Sequence, residues 1–232
     1  MRIAVTRPEE DAGLLGAKLE TMDHEVIAAP MMSIRPRRDV TLPELAYQAI
    51  AVTSANGIRA LARPDRLKSF RILTVGPQSL AAARALGFSA EAHGGNVSGL
   101  AAFIRAELDP AAGPILYLSG AETTGDLEGQ LNAAGFDCRR IVLYDAVPSP
   151  TLGQAESAIR EGRLDAVLLY SPRTARIWQG LIAAAGLADQ TAELRYFCLS
   201  RNVAAVLPEG LKVQIAASPG EAALLALLEQ IR

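Results

Sequence analysis

The chain repeats itself, and that constrains its fold more than anything else in it. A strand-helix-strand unit, A, runs from Ile3-Ala-Val-Thr-Arg7 to Val26-Ile-Ala28. It returns as Ile115-Leu-Tyr-Leu-Ser119 to Arg140-Ile-Val-Leu143, and the two helices end near Leu19-Glu20 and Leu131-Asn132. Unit B is a strand, a serine turn and a helix: Ala51-Val-Thr-Ser-Ala-Asn-Gly57, echoed by Val167-Leu-Leu-Tyr-Ser-Pro-Arg173. Unit C is strand-helix-strand-helix, from Leu73-Thr-Val-Gly76 to Leu100-Ala-Ala102 and again from Phe197-Cys-Leu-Ser200 to Leu224-Leu-Ala226. The order ABCABC, with a period near half the length, marks a duplicated architecture.

The local signals agree. Short apolar runs read as strands at Ile3–Thr6, Glu25–Ala29, Ala49–Thr53, Ile72–Val75, Ala90–Ala92, Ile115–Leu118, Arg139–Leu143, Ala166–Leu169, Tyr196–Leu199 and Val213–Ala216. Between most of them lie segments with apolar residues at helical spacing. Strand-helix alternation implies right-handed crossovers and parallel sheets, whose buried strands read as unbroken apolar runs. Hydrophobic residues are 50% of the chain but aromatics only 5%, so the core is built from Ala, Leu, Ile and Val. The expected fold is α/β: two doubly wound, five-stranded parallel-sheet domains. Pro8 ahead of Glu9, Glu10 and Asp11 reads as a helix start, Ser218-Pro219-Gly220-Glu221 as a capping box, and Asn96 or Ser98 as a helix cap.

Two divisions fit the repeat. A cut near Pro110–Pro114 makes two sequential domains. The longest proline-bearing breaks, Pro30–Pro43 and Pro148–Gly153, instead follow unit A in each repeat. Crossing there gives a discontinuous domain, 1–35 plus 150–232, and an inserted one, 38–147. The residues alone leave both open.

Several classes of function lose their support. A net charge of −2 does not favour nucleic acid. There is no GxGxxG, no GxxxxGK[ST] and no GxSxG. His24 and His93 are isolated, so no metal site is expected, and His24 reads as a surface residue in a turn. Cys138 and Cys198 sit in apolar runs and read as buried thiols of a reducing compartment. The start of the chain is strand-like and carries no leader pattern. No apolar run approaches the roughly 20 residues of a membrane span, so a cytoplasmic location is expected. Trp178 reads as packing.

In open parallel sheets, ligands bind beyond the carboxyl ends of the strands. Those positions hold Thr6-Arg7, Thr53-Ser54 with Asn56, Gly76 with Ser79, Ser119-Gly120-Ala121, Tyr170-Ser171 with Arg173, and Ser200-Arg201. Any one of them is explained by helix capping. Their recurrence at six turns points to N–H and hydroxyl donors for a ligand with several anionic groups, held between two domains. Tyr144 ends an apolar run and begins a linker. It reads equally as a group facing that space or as a cap on the core with its phenol toward solvent.

At these residues the chain resembles the uroporphyrinogen-III synthase family. The likeness spans nearly the whole length: Thr6-Arg7-Pro8, Thr53-Ser54-Ala55-Asn56-Gly57, Val75-Gly76 with Ser79, Gly95-Asn96, Leu118-Ser119-Gly120, Val142-Leu143-Tyr144, Tyr170-Ser171-Pro172 and Ser218-Pro219. It implies two flavodoxin-like domains joined by two linkers, with the discontinuous domain built from both chain ends. The implied substrate is hydroxymethylbilane, a linear tetrapyrrole polycarboxylate, closed with inversion of the last ring and loss of water. No cofactor is implied. Tyr144 would hydrogen-bond or protonate the leaving hydroxyl. Thr6, Arg7, Ser54, Asn56, Gly76, Ser79, Asn96, Ser119, Gly120, Ala121, Ser171, Arg173, Ser200 and Arg201 would bind substrate. A monomer in transient contact with hydroxymethylbilane synthase is expected. The chain departs from the family at Val203, where many relatives carry a hydroxyl, and near Thr124, where many carry an arginine; Arg173 or Arg201 would replace that arginine. The rivals are a non-enzymatic module that closes on a small polyanion, and a two-domain glycosyltransferase, which should be longer and carry a nucleotide signature.

Overall fold

The computed structural model describes residues 1–218 and 220–230. In chain order the elements are β1 (Arg2–Val5), α1 (Glu9–Thr21), β2 (Glu25–Ala28), β3 (Met32–Pro36), β4 (Ala49–Val52), α2 (Ala55–Arg59), β5 (Ile72–Thr74), α3 (Pro77–Ala85), β6 (Ala90–Ala92) and α4 (Val97–Glu107). There follow β7 (Ile115–Gly120), α5 (Leu127–Asn132), β8 (Cys138–Pro148), α6 (Gln154–Arg160), β9 (Ala166–Leu169), α7 (Pro172–Ala184), α8 (Ala188–Thr191), β10 (Arg195–Cys198), α9 (Arg201–Ala204), β11 (Lys212–Ile215) and α10 (Glu221–Glu229). The capping box expected at Ser218–Glu221 includes Pro219, which lies outside the described residues.

The chain divides into two compact units, Met1–Ser33 with Val147–Arg232 and Ile34–Ala146. The first holds a sheet in the order β2-β1-β9-β10-β11. The second holds β3-β8-β7-β4-β5-β6. In repeat terms both sheets read A-second, A-first, B, C-first, C-second, with β3 added at one edge. The first sheet takes A from the first repeat and B and C from the second; the second sheet takes the complement. Neighbouring strands pair in parallel from β2 to β11 and from β8 to β6. This is the doubly wound, flavodoxin-like order.

Alternate residues of each central strand feed opposite faces, as period-two geometry requires. In the first unit, Ala4, Val167 and Tyr196 join Trp178 and Ile182 of α7, while Ile3, Leu168 and Phe197 join Leu15, Leu19 and Leu224 of α1 and α10. In the second, Ile50, Leu116 and Leu118 pack with Ile58 and Ala83, while Ala51, Leu73 and Tyr117 pack with Leu100, Ile104 and Leu127. Helices therefore cover both faces of each sheet.

Two sequence expectations fail here. The Pro30–Pro43 break contains β3, and β8 extends beyond Leu143 to Pro148. β3 is an edge strand whose arginine and closing proline suppress the apolar signal, which is how edges are normally blunted. His24 is buried, 7% exposed, with Nδ1 3.2 Å from the Met1 amino group. The turn that carries it is folded under the chain terminus rather than left in solvent.

Candidate active site

In the first unit, the carboxyl ends of β1, β9 and β10 carry Thr6, Arg7, Ser171, Arg173, Ser200 and Arg201. Thr6 is fully buried, and its hydroxyl donates to the Leu168 carbonyl at 2.6 Å, tying β1 to β9. Arg7 is held by carboxylates: Nη1 lies 3.0 Å from Glu221 Oε2 and Nη2 lies 3.5 Å from Asp11. Lys18 joins the same Glu221 carboxylate at 2.5 Å. The Arg7 guanidinium sits 4.8 Å over the Tyr170 ring. Burial raises the Tyr170 phenol, Glu221 raises it further and Arg7 opposes both. Ser171 caps α7, accepting from the Thr174 amide at 3.1 Å. Ser200 occupies the same position before α9 in extended backbone, but its hydroxyl makes no capping bond. Arg173 is half-buried and Arg201 exposed.

In the second unit, Ser54 caps α2 by accepting from the Asn56 amide at 3.3 Å. Asn56 is buried and its Oδ1 accepts from Arg59 at 2.9 Å. Gly76 precedes α3 in extended backbone, and Ser79 is buried on that helix. Asn96 caps α4, accepting from the Gly99 amide at 2.8 Å.

Ser119, Gly120 and Ala121 are not a helix-start turn. β7 runs through Gly120, and α5 begins only at Leu127, capped by Asp126. The ladder between β7 and β8 slips here: Ser119 pairs with Val142, but Gly120 pairs with Tyr144. Leu143 is thus the extra residue of a β-bulge, and the alternation of faces resets at that point. Both Leu143 and Tyr144 consequently enter the same core cluster. Tyr144 is 7% exposed, and its ring lies against Gly120. A Cβ at residue 120 would stand 2.7 Å from two ring carbons and 3.0 Å from the phenol oxygen, so glycine is what makes room for this tyrosine.

Arg140 fastens the same spot. Its Nε donates to Ser119 Oγ, and its Nη2 donates to the carbonyls of Gly120 and Ala121, each at 2.8 Å. Ser119 Oγ in turn donates to the Gly120 carbonyl at 3.0 Å. The Ala121 amide donates to the Tyr144 carbonyl at 2.9 Å. One guanidinium thereby closes the end of β7 beside the bulge.

A sequence model described as uroporphyrinogen-III synthase HemD matches residues 14–226. The chain belongs to the uroporphyrinogen-III synthase family. It is by family an enzyme of tetrapyrrole synthesis. Among solved structures, uroporphyrinogen-III synthetase from Helicobacter pylori is similar at TM-score 0.67 and 16% identity, covering 100% of both chains. A mutant uroporphyrinogen III synthase from the extremely thermophilic bacterium Thermus thermophilus is similar at TM-score 0.54 and 16% identity, covering 100% of this chain and 97% of that one. At such identity these likenesses are of fold. No curated protein matches the sequence.

For this family member, sequence reasoning passed over Arg140 and Glu221. The one signal for Arg140 was a charged pair, Arg139-Arg140, heading an otherwise apolar strand. Glu221 reads from sequence only as the closing acid of a capping box. Among the described residues, no group of three His, Cys, Asp or Glu side chains is arranged to hold a metal ion. Nor is any helix there long and apolar enough to cross a membrane.

Proposed function

We propose that the chain closes hydroxymethylbilane to uroporphyrinogen III, inverting the last ring and releasing water, as a cyclising hydro-lyase. The observation that carries this reading is the family match over residues 14–226. The strand-end donors support it, because a flexible polyanion needs many N–H and hydroxyl contacts to be held in one conformation. Holding the two reacting ends together is worth up to about 7–11 kcal/mol of barrier. Tyr144 is our candidate for hydrogen bonding to the departing hydroxyl, and its place on a bulge fits a side chain that has been re-aimed. Arg173 and Arg201 are our candidates for substrate carboxylates; Arg7 already shares two protein carboxylates and would have to exchange them. We take the working form to be a cytoplasmic monomer that meets hydroxymethylbilane synthase only transiently.

The test is to incubate the protein with hydroxymethylbilane, oxidise the products and separate the uroporphyrin isomers. A dominant type III isomer supports the reading, and type I alone, the spontaneous product, overturns it. Tyr144→Phe should lower kcat by about 10²-fold, the lower end of what a positioned proton donor supplies. An unchanged kcat in a folded variant removes Tyr144 from the chemistry.

A further inference from the structure

A groove of about 1230 Å³ opens in the unit Ile34–Ala146, between the segment 36–45 and the stretch 59–70. None of the residues expected at the strand ends lines it, and Tyr144 does not either. The groove has a cause in the fold. α2 has five residues, so the sheet face beside it is covered by irregular chain and a short 3-10 turn at Pro64–Leu67 rather than by a full helix.

Its chemistry is two-sided. Leu61 and Leu67 form a buried apolar floor, and Tyr47 meets Phe70 edge-on at 5.7 Å. Five guanidinium groups line the groove, from Arg37, Arg38, Arg59, Arg63 and Arg66, against the carboxylates of Asp39 and Glu44. That is a local cationic excess in a chain of net charge −2. Arg37 is bound to Asp145 at 2.7 Å. Arg66 reaches Glu44 only at 3.4 Å, with the Glu44 side chain 88% exposed. Arg38 and Arg63 are exposed and have no ion-pair partner among the described residues.

We propose that this groove is a second, non-catalytic binding site for an amphipathic polycarboxylate: an apolar body on the floor, carboxylates on the guanidinium rim. Guanidinium groups suit carboxylates because they offer paired donors in one plane. The volume exceeds the roughly 300–1,000 Å³ of ordinary small-molecule pockets, so the groove has room for a ligand larger than drug-sized. Tetrapyrrole polycarboxylates have this chemistry, and choosing them as occupant rests on the synthase reading.

The test is a fluorescence titration of the full chain with uroporphyrin III. Wild type should take up a second equivalent that R38E/R63E loses, or binds at least about tenfold more weakly, since two charge-assisted contacts are removed. R38E/R63E should still form the type III isomer at the wild-type rate, and E44Q, which removes a competing carboxylate, should bind the second equivalent at least as tightly. Identical titrations of wild type and R38E/R63E overturn the site. So does loss of turnover in R38E/R63E, which would make the groove part of the catalytic site, or displacement of the second equivalent by a stoichiometric Glu-rich peptide, which would make it a peptide site. If the wild type forms no type III isomer, the synthase reading falls by itself and the titration still decides the groove.

Discussion

In the unit Met1–Ser33 with Val147–Arg232, the helix after β9 is α7, thirteen residues long, and it seats Trp178 with no exposed surface. In the unit Ile34–Ala146, the helix after β4 is α2, with five residues, and an open groove lies beside it. Apart from the added edge strand β3, the strand order is the same in both sheets. The strand ends differ too. In the first unit a helix follows β1 almost at once, and an arginine is held by side-chain carboxylates. In the second, β7 runs on into a bulged ladder, and an arginine is held by backbone carbonyls. A duplicated topology thus constrains which strands are neighbours, while helix length and strand-end chemistry remain free to diverge. That freedom is where binding surfaces arise.

The comparison can be broken most directly in the cores. Trp178→Ala should cost about 3–5 kcal/mol in urea unfolding, since α7 cannot collapse into the space left. Phe70→Ala, only partly buried at the groove, should cost less than that, because part of the residue already meets solvent. Equal losses would mean the two faces are equally well packed.

A smaller effect sharpens the contrast between strand ends. Gly120→Ala should cost about 1–3 kcal/mol by overpacking, because its new methyl meets the Tyr144 ring. Arg140→Ala should cost about 1–3 kcal/mol by removing three hydrogen bonds; of the three acceptors, the Gly120 carbonyl keeps another side-chain donor, Ser119. Arg140→Lys should recover only part, since one ammonium cannot reproduce the fork. Full recovery would reduce Arg140 to a surface charge. Both losses are read by urea unfolding.

The smallest effect is electrostatic. Asp165 receives the Arg2 amide at 2.7 Å and its guanidinium at 2.8 Å, and these bonds hold its carboxyl below the usual range. A depressed folded pKa gives stability that is present above the unfolded value and lost as pH falls through the folded one. Asp165→Asn should therefore flatten the decline in unfolding free energy below about pH 4, by no more than about 1 kcal/mol, given that the pair is one-third exposed. Asp145→Asn, whose carboxyl is lowered by the exposed Arg37, should flatten it less. An unchanged acid limb in Asp165→Asn would show that the pair adds nothing.

How much of this was legible in the sequence follows from what periodicity can and cannot encode. Central strands such as Ala166–Leu169 are buried on both faces and announce themselves as apolar runs. Met32–Pro36 is half-exposed at an edge, so its pattern looks like a linker. Caps at Ser54, Asn96 and Ser171 were readable because capping is local. The bulge at Leu143 was not, because it exists only in the pairing of residues more than twenty positions apart. Arg140 escaped for the same reason, since its partners lie on the neighbouring strand.

The exchange of repeats between the two sheets has a consequence for synthesis. β1 is made before the second unit, yet its register partners on one side, Ala166 to Leu168, emerge only after the whole of that unit. The second unit is complete at Ala146, so a growing chain can finish it while the opening strand still waits without a sheet. Through that interval the β9 side of β1 has no partner. If units fold as they emerge, the inserted unit closes first and β1 is the strand that must wait for its far neighbour, β9.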